Sequence, residues 1–90
     1  MSEAESQREG SADVWADIKS EHAVQAAKWG AAHDNQHSSD DWMRLFQERQ
    51  WAMEYVSTAE LRRQIVILAA LAASAIEAID RWPAERRVPQ

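Results

Sequence analysis

The sequence lacks several features that mark large classes of protein. It contains no cysteine, which is typical of a cytoplasmic protein, and no Cys/His metal-binding signature. Its two glycines do not form a glycine-rich phosphate loop, and no internal repeat is present. Lysine and arginine total 10 against 15 acidic residues, so the formal net charge is −5. Without a basic stripe to neutralise phosphates, nucleic acid is not an expected partner.

Export and membrane segments are also not expected. The opening residues, MSEAESQREG, do not combine a basic stretch with a following apolar one, as a secretion signal would. The longest apolar run, residues 64–79, is shorter than the roughly 20 residues that span a bilayer, and it is rich in alanine. The predicted location is therefore the cytoplasm, away from the membrane.

The apolar run QIVILAALAASAIEAI, residues 64–79, is the centre of the predicted fold. Helical spacing arranges its apolar residues, with their neighbours, in two stripes: Leu61, Ile65, Leu68, Ala72, Ile76 and Ile79 form one, and Ile67, Leu71, Ala75 and Trp82 form the other. Two stripes need two packing partners, so this helix is predicted to be buried nearly all round. A chain of 90 residues supplies little surface for that purpose, so a homodimer or higher oligomer is expected. The narrow polar sector holds Arg63, Ser74, Glu77 and Asp80.

The first predicted helix follows a polar segment. Residues 1–10 show no apolar periodicity and are predicted to be a disordered leader. Ser11 is a candidate N-cap, Val14, Ile18, Gln25 and Trp29 share one face of the helix that follows, and Gly30 ends it. Residues 31–39 are rich in turn formers and are predicted to be a loop.

Two further helices complete a domain at residues 11–82. Ser38 or Ser39 caps the second, which is predicted to run to about Val56. Ser57 and Glu60 have the spacing of a capping box, so the third helix begins directly afterwards and the two form an antiparallel hairpin. Pro83 ends the third helix and residues 83–90 form a flexible tail. The predicted fold is an all-α, three-helix unit that assembles into an oligomeric bundle.

Polar residues interrupt the inward faces of the first two helices. Glu21, His22 and Gln25 lie on or beside the apolar stripe of the first. Arg49 projects into the middle of the apolar stripe of the second, which consists of Trp42, Leu45, Phe46, Met53 and Val56. A half-buried arginine normally needs a carboxylate partner, and the candidates are Glu48, Glu77 and Asp80.

Two other groups of residues admit a structural and a functional reading. His33, Asp34 and His37 are possible metal ligands, although histidines in a polar loop are more often solvated or structural. The five tryptophans indicate either a core filled with large rings or a surface on which a base stacks, and core packing is favoured.

Residues 21–34, EHAVQAAKWGAAHD, followed by Trp42, resemble the E-R-x-x-Q-x-x-K-W-G-x-x-H-D segment of small MazG-like proteins, many of them encoded by phages or prophages. These belong to the all-α NTP pyrophosphohydrolases, and the resemblance covers about residues 14–81. It implies a dimeric or tetrameric helical bundle that holds Mg²⁺ with an E-E-x-x-E helix and an E-x-x-D helix. The possible binding residues are Glu21, Gln25, Lys28, Trp29, His33, Asp34, His37 and Arg49.

The metal-binding pattern of the resembled family is largely replaced here. Aligned from Trp42, the E-E-x-x-E positions hold Glu48, Arg49 and Ala52, and the E-x-x-D positions hold Gln64 and Ile67. A second alignment uses Glu77 and Asp80, which with Glu48 would be the metal ligands of an active enzyme. A guanidinium at a ligand position would itself supply the positive charge that Mg²⁺ brings.

The favoured hypothesis is a non-catalytic, MazG-like protein of phage type. It would need no cofactor and would bind a partner protein, such as a component of the host machinery, or a nucleotide. The first alternative is a Mg²⁺-dependent nucleoside triphosphate pyrophosphohydrolase, in which Lys28, His33 and Asp34 lie near the phosphates or the base. The second alternative is a structural helical oligomer.

Overall fold

The computed structural model describes residues 3–83, with side chains from residue 13 onward. This range contains four α-helices and no strand: α1 Glu3–Lys28, α2 Gly30–Asp34, α3 Ser39–Trp51 and α4 Thr58–Asp80. The all-α prediction is therefore confirmed, with one short helix more than expected. None of the described helices combines the length and apolar character that a bilayer span requires.

The first helix is longer than predicted. It begins at Glu3 rather than at Ser11, so residues 3–10, predicted to be a disordered leader, are helical. Their glutamates and alanine are good helix formers. The predicted stop is present, because α1 ends at Lys28 and Gly30 adopts a φ of +78°, in the left-handed region that favours glycine. The predicted loop then starts with the helix α2, in which two alanines follow Gly30.

The start of α3 is a capping box built by Ser38. The backbone N–H of Asp41 donates to Ser38 Oγ at 3.1 Å, and the N–H of Ser38 donates to Asp41 Oδ2 at 2.9 Å. The hydrogen bonds that Ser38 donates to the Asp41 carboxylate lower the pKa of that carboxyl. The stability that they contribute is therefore fully present above the unfolded pKa of aspartate and is lost as the pH falls through the folded value. The helix ends at Trp51 rather than Val56, and Tyr55 closes the following turn with a φ of 59°.

The last helix has the predicted cap and the predicted end. The N–H of Glu60 donates to Ser57 Oγ at 3.2 Å. The Glu60 carboxylate accepts from Gln64 Nε2 at 2.7 Å, so it is used within the helix rather than to complete a capping box. Pro83 follows the last turn. The rest of the predicted tail, residues 84–90, lies outside the described residues.

Helices α3 and α4 form the expected antiparallel hairpin. Trp42, near the start of α3, packs with Ala75, Ala78 and Trp82 near the end of α4. At the other end of the pair, Arg49 contacts Gln64. The start of α3 therefore lies beside the end of α4, and the end of α3 lies beside the start of α4, as in an antiparallel pair.

The buried face of α4 consists of small and polar residues. Its buried positions are Gln64, Ala70, Ser74, Ala75 and Ala78. Ser74 was predicted to lie in the polar sector, but it is buried. The inward face of α4 therefore includes part of that sector. Small side chains allow neighbouring helices to approach closely, because interaxial distance depends on the residues at the contact.

The prediction that this helix is buried nearly all round does not hold within one chain. Four of its large aliphatic side chains are more than one third exposed: Ile76 is 60% exposed, Ile65 49%, Leu61 38% and Ile79 37%. Only α1 and α3, with the short α2, are available in the described structure to cover α4, and Leu61 and Ile65 lie beside Val14 and Ile18 of α1. One of the two predicted apolar stripes is therefore only partly covered in the single chain.

Replacing Ser38 with alanine should lower the free energy of unfolding by about 1 kcal/mol, because the cap of α3 loses its acceptor. The matched control is Ser39→Ala, which removes the neighbouring hydroxyl and should change stability by less than about 0.5 kcal/mol. Urea denaturation of both variants measures the difference. An equal loss in both would contradict the assignment of Ser38 as the cap.

Candidate functional site

A groove lies between α1 and α3, and we call it the central groove. Both helices pack on α4 but, over the described residues, not on each other, so α4 forms the floor. The volume of the groove is about 480 Å³, within the range of small-molecule sites. It is lined by Glu21, Val24, Gln25, Lys28, Trp29, His33, Asp34, His37, Trp42, Leu45, Glu48, Arg49, Ile67, Leu71 and Ser74.

The central groove gathers residues that are far apart in the sequence. Every residue predicted to take part in binding lines it: Glu21, Gln25, Lys28, Trp29, His33, Asp34, His37 and Arg49. Of the three alternative metal ligands, Glu48 lines it as well, whereas Glu77 and Asp80 do not. Glu77 Oε1 lies 2.7 Å from His22 Nε2, in a contact that joins α4 to α1.

A column of rings runs along one end of the groove. Trp29 stacks on His33 with ring centroids 4.9 Å apart, and His37 meets the edges of His33 and Trp42 at 4.9 and 4.7 Å. Trp42 then stacks on Phe46 at 6.4 Å. The column joins the end of α1 to the core. Its side-chain contacts also hold the segment between α1 and α3 in place.

The five tryptophans are divided between the core and the surface. Trp29, at the outer end of the column, is 52% exposed, at the groove. Core packing holds for Trp42 and Trp82, whereas Trp15, Trp29 and Trp51 are exposed.

The partner of Arg49 is an amide rather than a carboxylate. Arg49 Nη1 donates to Gln64 Oε1 at 3.2 Å, and Gln64 Nε2 donates to Glu60 Oε2. Arg63 also donates to Glu60, and the bonds from Gln64 and Arg63 lower the pKa of the Glu60 carboxyl. In the described structure Arg49 forms no ion pair with Glu48, Glu77 or Asp80.

Helix geometry explains why the expected carboxylates do not reach Arg49. Glu48 is its neighbour in α3, and adjacent helical residues point in different directions. Glu77 and Asp80 lie near the other end of α4 from Gln64, and a helix rises about 1.5 Å per residue, so both carboxylates are about 20 Å or more away along its axis.

The groove does not fit the magnesium site that the family resemblance implies. Arg49 and Gln64, which occupy two of the aligned ligand positions, contact each other directly. Ile67 and Ala52, at two more of these positions, have no oxygen in their side chains. Among the described residues, no three His, Asp or Glu side chains converge to hold a metal ion, and this includes Glu48, Glu77 and Asp80. Hard Mg²⁺ needs several oxygen ligands, which these four aligned positions do not supply.

Gln25 is held in one orientation at the groove. Its Nε2 donates to Glu21 Oε2 at 3.2 Å and to the backbone oxygen of Ile67 at 3.3 Å. Its Oε1 is buried and accepts no hydrogen bond within the described structure. Trp42 Nε1 is likewise buried without an acceptor among the described residues. Gln25 and Trp42, which both line the groove, therefore each hold one buried polar atom without a partner among the described residues.

Two polar residues of α4 at the site were not among the predicted binding residues. Gln64 contacts Arg49, and Ser74, which was predicted to lie in the polar sector of this helix, lines the groove. Both are polar interruptions of the apolar run 64–79, and that was the available signal.

Comparison with protein-family models, with characterised proteins and with solved structures gave no significant match. The likeness to MazG-like proteins therefore rests on the residues quoted above.

The contact between Arg49 and Gln64 can be measured by a double-mutant cycle. Arg49→Met should lower the free energy of unfolding by about 1–3 kcal/mol, because Gln64, which is 8% exposed, keeps a buried oxygen without a donor. Adding Gln64→Met removes that oxygen, so the double variant should lose less than the sum of the two single variants, by about 1 kcal/mol.

The control for this cycle is Arg63→Met, which removes an exposed arginine from α4 and should cost less than about 0.5 kcal/mol. Strict additivity of Arg49→Met and Gln64→Met in chemical denaturation would show that the two side chains are not coupled.

Proposed function

We propose that the protein is a cytoplasmic, MazG-like protein of phage type that binds a nucleotide in the central groove without hydrolysing it. The observation that carries the proposal is the contact of Arg49 with Gln64 at 3.2 Å, on the wall where the resembled enzymes hold Mg²⁺. A fixed guanidinium supplies positive charge there, and it binds phosphate through several N–H groups in one plane.

The chemistry of the groove suits the two ends of a nucleotide. Lys28 on α1 and Arg49 on α3 are cations on opposite walls, to which phosphates can bind. Trp29 and His33 form a ring surface beside them, on which a planar base can stack. Glu21, Asp34 and Glu48 also line the groove and repel phosphate, so the anion is confined to the neighbourhood of the two cations.

The same residues argue against turnover. Hydrolysis in the resembled enzymes uses Mg²⁺ to polarise the phosphate and to activate water, and this requires a dense set of carboxylates. The aligned positions here carry Arg49, Ala52, Gln64 and Ile67, and Arg49 repels a divalent cation. The proposed protein therefore needs no cofactor.

Nucleotide binding should be independent of magnesium. In calorimetric titrations with nucleoside mono-, di- and triphosphates, affinity should be the same in excess EDTA and in Mg²⁺ for the nucleotide that binds most tightly. Arg49→Met should weaken that binding about tenfold or more, because a charged hydrogen bond to phosphate is lost. Arg63→Met, on α4 but outside the central groove, is the control and should bind normally.

Two results would contradict this function. If no nucleotide in the panel binds, the proposed function is wrong. Magnesium-dependent release of pyrophosphate that is abolished by Glu48→Ala would replace it with the pyrophosphohydrolase alternative.

We also propose that the protein forms a homodimer through the partly exposed apolar stripe of α4. The supporting observation is the row of outward-facing aliphatic side chains at Leu61, Ile65, Ile76 and Ile79, all more than one third exposed in the single chain. Exposed aliphatic side chains on one face of a helix favour an interaction site there. A second copy would cover it through the same residues.

Ile76→Glu should convert the dimer into a monomer. Ile76 is 60% exposed in the single chain, so the substitution should leave the protomer folded while placing a charge in the proposed interface. Ala59→Glu introduces the same charge on another exposed face of α4 and should leave the dimer intact. Light scattering coupled to gel filtration measures both masses, and a monomeric wild-type protein at micromolar concentration would refute the proposal.

A further inference from the structure

We infer that Gln25 selects the base of the bound nucleotide, with its side-chain oxygen accepting a hydrogen bond from an N–H group on the edge of the base. The inference rests on the proposed function, and it assigns to one residue a specificity that the phosphate-binding cations do not provide. Three observations support it: the fixed orientation of the amide, the unused buried oxygen and the unused donor of Trp42.

The orientation of the Gln25 amide follows from its neighbours. Both groups around Nε2, the carboxylate of Glu21 and the backbone oxygen of Ile67, accept hydrogen bonds and do not donate them. If the amide turned over, its oxygen would face these two acceptors. The amide nitrogen must therefore stay between them, so the side chain presents an acceptor at its other end.

That acceptor is unfavourable for the folded protein alone. Gln25 Oε1 is buried and has no donor within the described structure. A buried polar atom without a partner destabilises the folded state, and most such atoms in native proteins are paired. A ligand that donates to this oxygen would remove the penalty, whereas a ligand that offers a lone pair there would increase it.

Trp42 supplies the complementary group. Its Nε1 is buried without an acceptor among the described residues, and the side chain, only 3% exposed, lines the same groove. Two residues of the groove lining thus each hold one buried polar atom without a partner, an acceptor on Gln25 and a donor on Trp42. The edges of nucleobases carry hydrogen-bond donors beside acceptors, in a pattern that differs between bases.

The ring surface and the flexible side chains around Gln25 are consistent with a planar ligand. Lys28 and Trp29 lie three and four positions after Gln25 in the sequence, near the same face of the first helix. Both are exposed, and Lys28 Nζ lies 4.9 Å from the centre of the Trp29 ring. Exposed side chains such as these change rotamer without a change in the backbone.

The test compares Gln25→Met with Gln47→Met in the full-length protein. Methionine keeps the length of glutamine and removes the acceptor, and Gln47 is an exposed glutamine of α3 outside the groove. Each variant is titrated with the triphosphates of adenosine, guanosine, cytidine and uridine, and with inorganic tripolyphosphate, which has no base.

The wild-type protein should prefer some bases over others. Gln25→Met should weaken binding of the preferred nucleotide about tenfold, reduce the preference, and leave the affinity for tripolyphosphate unchanged. Gln47→Met should behave as wild type. Gln25→Met removes the unpaired buried oxygen but also the two hydrogen bonds that Nε2 donates, so its melting temperature is measured to confirm that the variant is folded during the titration. A purely structural role for Gln25 predicts that the substitution weakens nucleotide and tripolyphosphate equally.

The possible failures can be told apart. If the wild type binds neither nucleotides nor tripolyphosphate, the proposed function fails, and this inference fails with it. If nucleotides bind with equal affinity whatever the base, or if Gln25→Met weakens tripolyphosphate as much as nucleotide, the groove binds phosphate alone. The proposed function then stands, and the role of Gln25 is overturned.

Discussion

The packing of α4 is the constraint on which the rest of the structure depends. Each of the other described helices contacts α4, whereas α1 and α3 do not pack on each other. Alanine and serine on the inner face allow both long helices to lie close to it, and four aliphatic side chains, Leu61, Ile65, Ile76 and Ile79, are left more than one third exposed. The central groove follows from this arrangement. Because α1 and α3 both pack on α4 but not on each other, a space remains between them.

Local signals predicted the ends of the helices well where a specific side chain determines them. Ser38, Ser57, Gly30 and Pro83 act through groups within a few residues, so their effect can be read from spacing alone. The turn at Tyr55 was missed because a left-handed residue there is not a glycine or asparagine. The buried face of α4 was misjudged because an alanine-rich helix has apolar residues on nearly every side, so periodicity alone does not choose between them.

At the candidate site, likewise, the types of residue could be predicted from the sequence, whereas the contacts between distant residues could not. The family resemblance named residues that the fold brings together around one groove, although it carries no information on their distances. The partner of Arg49 could not be predicted, because the choice among Glu48, Glu77, Asp80 and Gln64 depends on the register between α3 and α4. Trp42 in contact with the end of α4 sets that register, and only the folded structure contains it.

The separation of α1 from α3 has a thermodynamic consequence. In a closed bundle of three helices, each pair shares an interface, but here one of the three interfaces is missing in the described structure. A molecule in the central groove that touches Lys28 or Trp29 on one side and Arg49 on the other would take the place of that interface. Occupancy and folding would then be linked, because the bound molecule adds RT ln(1 + [L]/Kd) to the stability of the chain. The tightest occupant would be the one whose shape best matches the contact that the two helices do not make.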